Sequence, residues 1–163
     1  MPITRRAAVD DWRVCRELRL RALREEPQAY ASTFEHEWRL TDNDWRDRLS
    51  RALTVLAFSD GQPVGMATGL WRPDGDMMIV GMYVVPEARG QGCAGRLIDE
   101  IASAAIECGG RRLILDLAEG NLAAERCYRK YGFLPSGGRR PMERDPTIME
   151  IRLVYPLPQP MRP

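Results

Sequence analysis

Met82-Tyr83-Val84-Val85-Pro86-Glu87-Ala88-Arg89-Gly90-Gln91-Gly92-Cys93-Ala94-Gly95 is the stretch around which the rest of the chain can be ordered. It begins as the end of the most apolar run, Met77 to Val85, which reads as a strand. Pro86 stops that strand because it has no N–H for the ladder. A helix is expected from about Gly92 to Glu107, with Ala94, Leu97, Ile98, Ile101, Ala102 and Ala105 at the spacing of one buried face. Glycines let backbone approach a ligand closely, and a helix start offers unpaired N–H groups with partial positive charge. Phosphate or pyrophosphate is the ligand such a turn suits.

Working outward, Ile3 to Arg6 reads as a strand. A helix follows, marked by Trp12, Cys15, Leu18, Arg19, Ala22 and Leu23, with Asp10 as its expected cap and an end before Pro27. Gln28 to Arg51 reads as shorter helical pieces around Phe34, Trp38, Trp45 and Leu49, one of them capped by Thr41 or Asp42. Thr54 to Ser59 and Val64 to Trp71 form a hairpin through Asp60-Gly61-Gln62-Pro63, and Arg72 to Asp76 is a second turn. Beyond the glycine turn and its helix, Arg112 to Leu117 is a strand, Asn121 to Tyr131 a helix and Thr147 to Val154 a strand. The order β-α-α-β-β-β-α-β-α-β predicts one α/β domain with a mixed sheet over residues 1–155, followed by a loose proline-rich tail, 156–163.

With 24 basic and 23 acidic residues among 163, the net charge of +1 gives no electrostatic footprint for nucleic acid or an anionic membrane. No apolar run approaches the ~20 residues of a spanning helix, and the arginines and acids of Met1 to Glu25 do not read as a secretory leader. The expected location is the cytoplasm. Cys15, Cys93, Cys108 and Cys127 show no metal-ligand spacing and only His36 accompanies them, so no metal is expected and buried thiols are. Lys130 is the only lysine, which excludes a phosphate-binding P-loop.

Gly90-x-Gly92-x-x-Gly95 also matches a dinucleotide fingerprint, and Asp116 lies where a ribose-binding acid would follow. Four residues, Pro86 to Arg89, separate the strand from the first glycine, and too little chain follows Asp116 to complete a doubly wound sheet. The dinucleotide reading therefore fails.

Arg89, Gly92 and Ala94 fit the pattern [QR]-x-x-G-x-[GA]; downstream stand Asn121, Tyr128 and Tyr131-Gly132-Phe133. Taken together in this order and spacing, these elements resemble the GCN5-related N-acetyltransferases, the GNAT family, with Val64 to Leu134 as the core of the likeness. The resemblance implies a mixed, mostly antiparallel sheet of six to seven strands, splayed at the strand that holds the cofactor and flanked by helices. It implies acetyl-CoA as co-substrate and transfer of its acetyl group to a primary amine by direct attack in a ternary complex. A small-molecule amine is the partner expected; a homodimer is compatible with it.

Residue by residue, the resemblance assigns the CoA pyrophosphate to Arg89, Gly90, Gln91, Gly92, Cys93, Ala94 and the adjacent Gly95. It gives the pantetheine arm to backbone groups of Tyr83, Val84 and Val85, with an amide near Val84 polarising the acetyl carbonyl. Asn121 matches a cofactor-contacting asparagine, though an N-cap explains it equally well. Tyr128 matches a tyrosine that protonates the leaving thiolate, and a packed aromatic is its plain alternative. Asp116 stands where some members carry a glutamate base; Glu35, Glu119 and water compete with it. Acceptor specificity is expected in Tyr30 to Trp38 and in the loops around Trp71 and Gly137 to Asp145. An acyl-CoA-binding or regulatory module without catalysis is the alternative on the same fold.

Overall fold

In the computed structural model, which describes residues 1–161, the chain runs β1 (Ile3–Arg6), α1 (Trp12–Glu25), α2 (Phe34–Trp38), α3 (Asp42–Arg51), β2 (Leu53–Ser59), β3 (Gln62–Trp71), β4 (Met77–Val84), α4 (Cys93–Glu107), β5 (Arg112–Ala118), α5 (Leu122–Tyr131), β6 (Leu134–Pro141) and β7 (Met149–Pro156). The strands form one sheet in the order β1-β2-β3-β4-β5-β7-β6. All neighbours are antiparallel except β4 and β5, which are parallel and joined through α4. No helix among the described residues is long and apolar enough to cross a membrane.

Local chemistry accounts for most element starts. Thr41 caps α3 through a reciprocal pair of bonds with Asp44, its hydroxyl accepting from the Asp44 N–H and the Asp44 carboxylate accepting from its own N–H. At α1 the N-cap position falls on Asp11, one residue beyond the expected Asp10, and its side chain makes no capping bond to the helix. A short 3-10 turn, Val9–Asp11, precedes the helix, and the Asp11 carboxylate accepts from the Ala8 N–H and pairs with Arg5. Asp10 plays no such part.

Helices cover both sides of the first half of the sheet. An added Cβ at Gly65 or Gly69 would meet Leu97 or Ile101 of α4. On the other side Tyr83 reaches Glu25 at the end of α1. In the second half, Leu113, Leu115 and Leu117 join Phe133, Tyr128 and Leu153 in the core. Asp116, Arg152, Glu150 and Arg140 are register partners on the opposite face.

Three expectations are corrected. The segment after Phe133 contains a strand, β6, where a loop was expected; every one of its residues is exposed, so no alternation marks it, and an edge position tolerates its two prolines. Cys127 and Cys108 are exposed, while Cys15 and Cys93 are buried; on α5 the inward direction is taken by Tyr128 instead. The start of the tail is docked, not loose. Pro156 belongs to β7, Leu157 is buried with its N–H on the Arg111 carbonyl, and Gln159 bonds the Gly110 carbonyl. The remainder of the tail expected there, residues 162–163, lies outside the described residues.

Candidate active site

β4 and β5 pair only at their beginnings, Met77 with Leu113 and Met78 with Ile114, and then part. The cause is a bulge in β4. Its register against β3 jumps from Thr68↔Val80 to Met66↔Tyr83, and Gly81 takes up the extra length at φ +62°, a left-handed conformation that a side chain would strain. The result is a wedge between two parallel strands whose facing backbone groups are not spent on each other.

Val85 donates its N–H to the Val64 carbonyl at 2.9 Å and accepts from Ala88 at 3.0 Å, so neither of its backbone groups is free. Successive residues of a strand address opposite neighbours, so Tyr83 faces β3 with Val85 and Val84 faces the wedge. Of the three residues expected to hold a ligand arm, Val84 alone is turned toward it, and its carbonyl already accepts from Arg89 Nε at 2.9 Å. The Tyr83 side chain is buried and donates its hydroxyl to Glu25, and burial together with that carboxylate pushes its pKa up.

The glycine turn lies at the mouth of the wedge. Gly92 occupies the N-cap of α4 in the left-handed region, φ +81°, and supplies no capping side chain; no acid stands in the first turn. The first helical bond is that of the Arg96 N–H to the Gly92 carbonyl, so the amides from Gly90 to Gly95 have no backbone acceptor among the described residues. A Cβ added at Gly90, Gly92 or Gly95 meets nothing within 4 Å. This open cradle of amides at a helix start suits a diphosphate. Arg89 is folded back onto Val84 and Glu26, Gln91 bonds the Glu87 carbonyl, and the buried Cys93 thiol contacts the Ala88 carbonyl, its pKa raised by burial.

Asn121 caps α5, its Oδ1 accepting from the Ala124 N–H at 3.2 Å. Seven residues on, Tyr128 is buried edge-on against Phe133 with ring centroids 5.7 Å apart. Its hydroxyl has no hydrogen bond among the described residues, and burial raises its pKa. Tyr131 packs on Phe133 and donates to Asp99 of α4. Asp116 sits on β5 beyond the point where the strands part. Arg152 grips it with two bonds, 2.9 and 3.0 Å, and Arg140 adds a third at 3.1 Å. Of its competitors, Glu119 pairs with Arg139 at 2.7 Å and Glu35 is exposed in the first turn of α2.

Tyr30, Glu37 and Arg144 lie in segments expected to govern the acceptor, but their contacts carry no sequence signature. Tyr30 donates its hydroxyl to the Met82 carbonyl at the bulge. Arg19 stacks over the Tyr30 ring and is held by the buried Glu37, which also pairs with Arg48. Arg144, from the β6–β7 loop, bonds the carbonyls of Tyr30 and Pro27 and so closes that loop onto the segment after α1. These contacts join residues up to 117 apart; periodicity within a single element cannot show them.

Residues 12–133 match the family model described as the acetyltransferase (GNAT) family. An uncharacterized N-acetyltransferase of Mycobacterium tuberculosis is 32% identical over 89 residues, 55% of this chain and 57% of the relative, so the match spans little more than half of that protein's length. A candidate ribosomal-protein alanine N-acetyltransferase of Bacillus subtilis is 28% identical over 127 residues, covering 77% of this chain and 83% of the relative. In fold, the chain superposes with a TM-score of 0.79 on a candidate acetyltransferase of Salmonella typhimurium solved with its cofactor acetyl-CoA, at 16% identity and covering 100% of this chain and 98% of that one.

Proposed function

The chain belongs to the GNAT acetyltransferase family, and on that premise we propose that it moves an acetyl group from acetyl-CoA to a primary amine on a small molecule, by direct attack in a ternary complex. The observation that carries this reading is the wedge between β4 and β5 with an uncapped helix start at its mouth. When bound, acetyl-CoA supplies the activated thioester. The amides of residues 90–95 hold the diphosphate, with Arg89 fixing the strand end through the Val84 carbonyl. The N–H of Val84, turned into the wedge, polarises the acetyl carbonyl. Asn121 orders the start of α5 and the side of the wedge formed there.

Tyr128 donates a proton to the leaving sulfur. Two observations support the role: its hydroxyl has no hydrogen-bond partner among the described residues, and it lies on α5, two helical turns beyond Asn121. Burial disfavours thiolate and phenolate alike, so the relative acidity needed for transfer is kept. Asp116, one methylene shorter than a glutamate, receives the amine's proton through water at Oδ1, which carries a single bond from Arg152 where Oδ2 carries two. Residues 1–155 act as one catalytic domain in this scheme.

Thiol release from acetyl-CoA across a panel of amines tests the proposal. Turnover with at least one amine is the expected result. Tight acetyl-CoA binding with no turnover on any acceptor would instead favour a binding or regulatory module. A second reading, acetylation of a protein's N-terminal residue, is favoured by the name of the Bacillus subtilis relative; peptides in the same panel separate the two.

A further inference from the structure

On the face of β5, β7 and β6 away from α5 lies a cavity of about 270 Å³ lined by Asp116, Gly138, Arg139, Arg140, Glu150 and Arg152. It borders the β5 side of the wedge, where Asp116 stands past the last paired residues of β4 and β5. Its acids and bases are not equally visible to an incoming molecule. Asp116 and Glu150 are 10% and 13% exposed, whereas Arg140 is 64% and Arg152 33% exposed. Asp116 spends both oxygens on guanidinium groups, and Glu150 bonds Arg140. Each guanidinium has donors to spare: Arg140 uses Nε and Nη2, Arg152 the same two, and neither Nη1 has a hydrogen-bond partner among the described residues. A ligand in this cavity therefore meets N–H donors of Arg140 and Arg152 over acids that are already paired.

We propose that this cavity binds a carboxylate carried by the acceptor, read by Arg140 and Arg152 while the acceptor's amine points into the wedge. This rests on the acetyl-transfer reading and narrows it. The acceptor is an amino acid or a similarly small amino-carboxylic acid. Polycationic amines such as spermidine are poor acceptors, because they present no anion to the guanidinium donors. A planar fork of donors suits a carboxylate in two-point contact, which fixes the direction of the amine as well as adding affinity.

The test measures binding to the full chain in the presence of CoA, by calorimetry, for N-acetylglycine, N-acetylalanine and N-acetylglutamate, each against its carboxamide. The acid of at least one pair is expected to bind about tenfold more tightly than the amide, as loss of a charge-assisted pair implies. Arg140→Gln, on an exposed edge strand, should remove most of that preference. Equal affinity of acid and amide, a preference untouched by Arg140→Gln, or no binding of any acid overturns the proposal. Preferential binding of an acid without thiol release on any amine would uphold the carboxylate site while striking down acetyl transfer.

Discussion

Tyr30 and Met82 are joined by a 2.9 Å hydrogen bond from the phenol to the main-chain carbonyl, and this one bond ties the segment after α1 to the bulge that opens the sheet. Tyr30 is 8% exposed and Met82 half-buried, so loss of the hydroxyl leaves the Met82 carbonyl without its donor in a partly buried position. Tyr30→Phe is expected to cost about 1–2 kcal/mol in denaturant unfolding and to weaken acetyl-CoA binding, since one wall of the wedge is released. Unchanged stability would show that the bulge holds itself.

At the mouth of the wedge, Gly92→Val separates fold from ligand. A Cβ there meets no protein atom within 4 Å, so the folding cost is that of a side chain at φ +81°, about 1–2 kcal/mol. Acetyl-CoA affinity should fall at least about tenfold, because the added branch occupies the diphosphate's place. Titration calorimetry on the folded variant reads the loss, and an unaltered Kd moves the phosphate site elsewhere.

Tyr128→Phe keeps the ring packed on Phe133 and deletes a hydroxyl that no described residue engages. Melting temperature and acetyl-CoA Kd should hardly change, while kcat falls by about 10²–10⁴ as general-acid help is lost. A normal kcat would return Tyr128 to the role of a core aromatic.

Asp116→Asn should slow the reaction more near neutral pH than at high pH, where the amine is already neutral. If the pH–rate profile only drops in height and keeps its shape, Asp116 organises Arg140 and Arg152 and takes no proton.

Glu37 links stability to pH. Burial disfavours its charge, but the bonds and charges of Arg19 and Arg48 outweigh burial and hold its pKa below the ordinary carboxylate value. A carboxylate lowered in this way stabilises the fold above its unfolded pKa of about 4.3, and the contribution is lost as pH falls through the folded value. Urea midpoints should therefore drop below about pH 4.5, and Asp76, lowered by Arg112, adds to the slope. Glu37→Gln should cost about 3 kcal/mol at neutral pH by stranding Arg19 without its counter-charge, and should flatten the acid slope. An identical slope in the variant would assign the acid transition to other groups.

The contrast between what was and was not legible has a physical pattern. The wedge strand, the glycine turn and α4 were readable because Pro86, three glycines and a helical apolar stripe act within a few residues of one another. Asn121 and Tyr128 were readable because one helix sets their spacing. The clamp on Asp116 was not, because Arg140 and Arg152 reach it across two strand pairings whose register no local rule supplies. Nor was the silence of Val85, since strand parity in β4 depends on which side of the Gly81 bulge a residue falls. Glu37 shows the same limit: on α2 it reads as one more solvated acid, and only the packing of α1 and α3 around it buries it.

The outermost strand, Leu134–Pro141, has a bearing on how copies of this chain meet one another. Its outer edge is the kind of surface on which a second polypeptide can be templated into a growing sheet. Pro135 and Pro141 have no N–H to offer there, Arg139 and Arg140 place charge on it, and the register irregularity between Pro135 and Arg139 twists it out of line. At the other end of the sheet, β1 is only four residues long. Among the described residues, self-propagating strand addition thus finds no long, regular edge at either end of the sheet.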